Sequence, residues 1–497
     1  MKLIRLILVS LFFSNAALAA DIEWSGLYRI EGVSLHEPDL TTQSRGIDYG
    51  LQHLIMRPKI IASDGFTIRS QFDVFNSSAY PNSHMGQVFG NDVRNSTNTP
   101  NGRGTSTNAD TSNTFSHNGQ AGTLEVSQLY LTWDHEYGSL LVGRAPLQFG
   151  LGMSYSAGMG MFDHFYDTLD MVAYKFIYGN FFVLPMIGKS STGALNRNDD
   201  VDDYLVQAQY ENPETDLELG ILYHIRKAGN QGSDAPLVAK TGDASNPTEP
   251  LIGGTGATVD GGVNMQSFNV YALKDTPAMR LGVEVAFQSG QTGVRTAQGA
   301  KVALGGYGIA LEYEWRPVEL NWKMGIKAGF ATGDDPTTDG KYEGFSFNRN
   351  YDVAFMLFNH QLGGYDVFRT RMMGGGGGLP NSVSAKSNYE ISQTDVESIS
   401  NVAYFSPYAI YKMNDRWNMK TSLTTGVLNV QPLLGKSVSK DVGFELDYSL
   451  NFAPRKGVMW INEIGLLAPG AAFKGDGSQG YGASFTYGLQ TKAAITF

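Results

Sequence analysis

Cysteine is absent from all 497 residues. That excludes structural disulfides and thiolate metal sites, and it fits a protein exported to an oxidising compartment. No run of 18 apolar residues occurs, so a bundle of membrane-spanning helices is excluded. Charge is scarce. Asp, Glu, Lys and Arg make up 17% of the chain, and their balance of -11 argues against nucleic acid as a partner. Enzyme signatures are missing as well. The eight histidines form no His-Glu-x-x-His pair, and neither a Gly-x-Ser-x-Gly elbow nor a phosphate-binding glycine loop is found. The expectation is a protein that is not an enzyme.

What the chain does contain begins with an export signal. Lys2 and Arg5 precede an apolar stretch over residues 6–13, and Ala17-Leu18-Ala19 supplies the small residues of a cleavage site, so residues 1–19 read as a signal peptide. Residues 20–497 then read as one unit. Glycine is abundant at 59 residues, with 25 Tyr and 27 Phe. A surface that is greasy on one side and polar on the other needs this mixture.

The dominant hydrophobic period is two. At the end of the chain Phe485, Tyr487, Leu489, Thr491, Ala493, Ile495 and Phe497 alternate with smaller and polar residues. Leu217, Leu219, Ile221 and Tyr223 share one strand face while Glu218, His224 and Arg226 share the other. Eighteen such strands are expected near residues 23–35, 49–62, 66–77, 122–135, 138–149, 167–178, 181–190, 202–212, 216–228, 263–274, 279–290, 302–316, 318–332, 398–413, 417–430, 440–453, 457–468 and 482–497. Segments 151–166 and 350–360 leave the count between sixteen and eighteen. Short turns alternate with long loops, notably near 78–121, 229–262 and 333–397. The fold class is therefore all-β: a single antiparallel transmembrane β-barrel with short periplasmic turns and long extracellular loops. Phe345, Phe347, Phe355, Met356 and Phe358 give the 333–397 loop an apolar core, which suits a segment that constricts the pore.

Taking the polar parity of each strand as inward gives a lumen carrying Arg57, Lys59, Arg69, Arg144, Lys175, Arg226, Arg280, Arg316, Lys323, Lys327 and Lys420. Its carboxylates are Asp73, Glu211, Asp216, Glu218, Glu284, Glu312, Glu314, Glu445, Asp447 and Glu463, nearly as many. The segment Gly143-Arg144-Ala145-Pro146-Leu147-Gln148-Phe149-Gly150 puts Arg144 and Gln148 on the lumen face, with Pro146 hinting at a bulge or break. The candidates for the solute path are Arg57, Arg69, Arg144, Gln148, Lys175, Arg226, Arg280, Lys323 and Lys327. Asp334, Asp335 and Asp339 sit among turn residues where carboxylates can hold a calcium ion, though not at EF-hand spacing. No other cofactor is expected.

The segment from Leu141 to Gly150, and residues 331–341 followed by 345–358, are similar to those of the alginate-export family of outer-membrane barrels. The resemblance extends over the length of the chain. It implies eighteen strands and a lumen rich in Arg and Lys that conducts a polyuronate, and it carries Arg144 over as a lumen residue. This chain departs from that pattern in its many inferred lumen carboxylates, which would repel a polyanion unless they lie off its path. The expected function is an outer-membrane channel for small polar or anionic solutes such as saccharides or sugar acids; the alternative is a barrel presenting loops for adhesion or a structural role. Expected partners are outer-membrane lipid and lipopolysaccharide, small solutes, and the barrel assembly machinery through the terminal Phe497.

Overall fold

The computed structural model describes residues 21–41, 46–63, 65–74, 124–191, 201–228, 258–259, 262–335, 338, 340–364, 367–368, 398–431, 438–475 and 481–497. The expected signal peptide, the 78–121 loop, most of the 229–262 loop and residues 369–397 lie outside them. Among the described residues, eighteen antiparallel staves form one ring. In chain order they are β1 (Asp21–Glu23 and Gly26–Leu35), β2 (Ile47–Met56 and Lys59–Ser63), β3 (Phe66–Val74), β4 (Leu124–His135), β5 (Gly138–Pro146) and β6 (Thr168–Tyr178). Next come β7 (Phe181–Ser191), β8 (Val201–Asn212), β9 (Leu217–Ala228), β10 (Asn264–Asp275), β11 (Met279–Arg295) and β12 (Lys301–Leu304 and Tyr307–Trp315). The last are β13 (Trp322–Ala331), β14 (Val402–Lys412), β15 (Trp417–Leu428), β16 (Asp441–Arg455), β17 (Val458–Pro469) and β18 (Thr486–Thr496).

Each stave pairs with its successor, and β18 returns to β1, with Leu27 opposite Thr496 and Leu35 opposite Gly488. Closure leaves no edge, as backbone groups in lipid require. The alternation explains the two faces. On β9, Leu219, Ile221 and Tyr223 are exposed, while Leu222, His224 and Arg226 are buried. Exposed apolar side chains of this number would aggregate a soluble sheet, whereas acyl chains solvate them.

Proline sets the irregular places. Pro58 has no N–H to give and interrupts β2, and Arg57 N pairs instead with Ser25 O at 2.7 Å. Pro146 is the last residue of β5, so the strand expected to reach residue 149 stops there. Segments 151–166 and 350–360 contribute no stave. Both turn into the lumen instead, which settles the count at eighteen. The seam closes on the last residue: Gly26 N donates to Phe497 O at 2.8 Å, and Phe497 N returns the bond to Gly26 O at 3.1 Å.

Candidate functional site: the lumen

Two loops fill much of the barrel interior. One is the β5–β6 connection, residues 147–167; the other is the start of the β13–β14 connection, residues 340–364. Phe345, Phe347, Phe355, Met356 and Phe358 pack against the inward residues Val33, Leu35, Ala310, Tyr404, Leu428, Val442 and Leu467. The apolar core read from this loop is therefore real, but its other half is the barrel wall.

Irregular backbone at membrane depth must find partners for its N–H groups. Wall carboxylates supply them. Glu284 accepts from the N–H of Leu151 (2.7 Å), Met153 (3.2 Å) and Ser154 (3.1 Å). Glu445 accepts from Met356 and Leu357, each at 2.6 Å, and Asp447 from Phe355 at 3.4 Å. The loops also hold each other. Asn348 N donates to Met153 O at 2.7 Å, and Asn350 Oδ1 accepts from His164 N (3.0 Å) and Phe165 N (3.1 Å). Asp167 accepts from Ser156 N and Asn348 Nδ2, both at 2.7 Å, and burial between the loops pushes its carboxyl up to about 6.

Two buried polar clusters tie the first loop to the wall from opposite sides. In one, Arg29 donates to the carbonyls of Met161 and Asp163, His164 Nε2 meets Glu31 at 3.1 Å, and Tyr166 donates to Asp73 at 3.0 Å. His53 lies between Arg29 and Asp73, 3.0 and 2.7 Å from them. In the other, the Tyr155 hydroxyl lies 2.8 Å from His224 Nδ1, and His224 and Arg226 share Asp203 at 2.6 and 2.5 Å. Burial holds the His164 imidazole below its usual range. Sequence reasoning passed over Glu31, His53, Asp203, Tyr155 and Tyr166. The parity of Glu31 and Asp203 was available as a signal, but their pairing with a distant loop was not.

The expected site residues separate into groups. Arg57 faces inward and donates to Gln71 Oε1 at 2.8 Å, and Arg69 lies exposed on the same face opposite Lys59. Lys175 lies 3.9 Å over the Phe182 ring, and Arg226 is buried against Asp203. Arg280, Lys323 and Lys327 converge on Glu312 and Glu314: Arg280 is 3.8 Å from Glu312, Lys327 is 3.3 Å from it, and Lys323 is 3.9 Å from Glu314. Here the cations stand in front. Lys323 is 52% exposed and Lys327 28%, against 14% for Glu314 and 18% for Glu312.

Three readings need correction. Arg144 does not face the lumen: it shares its face with the exposed Leu129, Val142 and Val172, and it clasps Asp170 at 2.6 and 2.9 Å on the outside of the barrel. Polar parity fails there because outward residues near a strand end meet headgroups rather than acyl chains. Gln148 lies beyond the end of β5 in the first loop, where its Oε1 accepts from Ala157 N at 2.8 Å. Asp216 belongs to the turn before β9, in the left-handed region at φ +52°. As for calcium, Asp334 is buried and accepts from Glu343 N at 2.9 Å, and Asp335 O accepts from Thr338 N at 3.1 Å. Asp339 lies outside the described residues, and among those described no three acidic or His side chains gather to hold a metal.

The model of the alginate-export family matches residues 204–485, more than half of the chain. None of the curated proteins matches it in sequence. Among solved structures it is similar to Pseudomonas aeruginosa OccK9 (OpdG), at 9% identity and a TM-score of 0.49, over 96% of this chain and 98% of that one. It is also similar to P. aeruginosa OccK2 (OpdF) in complex with glucuronate, at 9% identity and TM-score 0.48, over 96% of both chains. Acinetobacter baumannii OccAB4 follows at 10% identity and TM-score 0.47, over 96% and 98%.

Proposed function

The chain belongs to the alginate-export family, and on that premise we propose that it is an outer-membrane channel conducting small anionic solutes, sugar acids among them, past the two inserted loops. The observation that carries this reading is the wall of β11–β13. Arg280, Lys323 and Lys327 stand toward the solvent, and the carboxylates of Glu312 and Glu314 lie behind them. Four further lumen carboxylates do not compete for the path: Asp73, Glu284, Glu445 and Asp447 are buried and hold loop backbone or wall side chains. The repulsion that a carboxylate-rich lumen would exert on an anion is thereby reduced. Arg57, Arg69 and Lys175 add cations on β2, β3 and β6, a separate stretch of the wall, and Arg226 keeps a structural place with Asp203.

Removal of residues 1–19 on export belongs to the same proposal, as does recognition of the terminal Phe497 by the assembly machinery. The Phe497 ring is 62% exposed while its backbone closes the seam, so a surface remains for recognition. The test is single-channel conductance of the refolded barrel in a planar bilayer, in salt and then with oligouronates or neutral oligosaccharides. Conductance blocked reversibly by the acids and not by the neutral sugars is the expected result. Inserted protein that conducts nothing overturns the channel reading, and block by neutral sugars alone overturns the anionic one.

A further inference from the structure

The outward face of the barrel carries a row of charges that the lumen does not explain. Five residues on five consecutive staves, β5 to β9, stand directly opposite one another: Arg144 faces Asp170, Asp170 faces Lys189, Lys189 faces Asp202, and Asp202 faces Lys227. Each is within two residues of the long-loop end of its stave. Each also shares its face with exposed apolar residues, among them Val172, Ile187, Val206 and Ile221, so the row points at the membrane. Elsewhere on the ring the outward positions near the same ends mix apolar residues, as at Phe405, Val427 and Tyr487, with isolated charges or a single pair, as at Asp48, Asp441 and Arg295 opposite Lys301. Among the described residues, only from β5 to β9 do charges stand opposite one another on five consecutive staves.

Alternation of sign holds the row together. Arg144 grips Asp170 through two bonds, and Lys189 is 3.4 Å from Asp202. Among these five residues three cations stand against two carboxylates, with a cation at each end. The Lys227 ammonium lies 6.0 Å from the centre of the Tyr204 ring, with its own face exposed. Charged residues facing lipid are tolerated only at the interface, so the row marks the level of the headgroups. A surplus of cations at that level complements phosphate.

We propose that this sector of the rim binds the phosphorylated headgroup of lipopolysaccharide in the outer leaflet, with Arg144, Lys189 and Lys227 as its cationic contacts. The proposal rests on the outer-membrane reading given above. The test compares thermal unfolding of the barrel in phosphatidylcholine vesicles with and without lipopolysaccharide. The expected result is a midpoint higher by about 3 °C or more when lipopolysaccharide is present. That shift is expected to vanish in 1 M salt, where the screening length falls to about 3 Å. The triple variant R144Q/K189Q/K227Q is expected to lose the shift and keep its conductance. D170N/D202N, which enlarges the positive surplus, is expected to increase the shift. Equal wild-type midpoints in the two vesicles overturn the proposal, as does a triple variant that keeps the full shift. If the triple variant does not insert, a D170N/D202N shift no larger than wild type overturns it. A doubled particle mass that the triple variant abolishes would assign the row to contact between two copies, again overturning it. Loss of wild-type conductance with the lipid shift intact would sink the channel reading alone.

Discussion

At the scale of the residue, Glu284, Glu445 and Asp447 work on loop backbone rather than on solute. Glu445 is the clearest case, with both oxygens accepting loop N–H groups at 2.6 Å. In Glu445→Gln the amide keeps one acceptor and turns a donor toward a donor, leaving one buried N–H unpaired. The expected cost is about 1–3 kcal/mol of loop anchoring, visible as faster amide exchange at residues 355–358 and a larger conductance. Unchanged exchange would show that the bond contributes nothing. A second residue matters at the seam. A Cβ on Gly26 would lie 2.4 Å from Phe497 Cζ and 2.6 Å from Ile55 O, and the second contact is backbone that cannot swing away. Gly26→Ala is therefore expected to destabilise the closed barrel by about 1–3 kcal/mol, lowering its urea midpoint. Adding Phe497→Ala should relieve only part of that loss.

The anchoring of the first inserted loop is expected to respond to pH through Asp167. Asp167 has its carboxyl raised to about 6 by burial, above its ordinary value of 3.8. The folded arrangement thus binds a proton more readily than the unfolded chain does. By linkage, this group's contribution to stability grows as pH falls from 7 through 6 toward 4, and is lost as pH rises again. Amide protection factors in residues 147–167, referred to the intrinsic exchange rate at each pH, should rise between pH 7 and pH 5, and Asp167→Asn should flatten that rise. The cation-fronted wall of β11–β13 gives a prediction of its own. In the double variant Lys323→Gln, Lys327→Gln, Glu312 and Glu314 lose their screen, so the reversal potential in a salt gradient should move toward cation preference. A potential identical to wild type would remove these lysines from the ion path.

For the whole molecule, the barrel was legible because each stave must satisfy two solvents at once. All eighteen expected strands have a counterpart in the ring, with ends that moved by a few residues, as at β5 where Pro146 stops the pairing. The alternation of short turns and long loops agreed with the strand count and needed no knowledge of packing. The inward parity of Arg280, Lys323 and Lys327 followed from the same rule, since their strands carry apolar residues such as Leu281 and Met324 on the outer face. The rule failed for Arg144 because it assumes that outward means apolar, which holds only within the hydrocarbon layer.

Sequence alone determined the period, the two-faced staves and so the closed barrel, because alternation is a local property that lipid and water read residue by residue. The tertiary structure alone decided what the interior holds. Glu284 meets Leu151, and Glu445 meets Met356, across 133 and 89 residues of chain. No local pattern marks a carboxylate that will cap a distant loop rather than face a solute. The row from Arg144 to Lys227 has the same origin: five charges scattered over the chain become one feature only when the register aligns their staves.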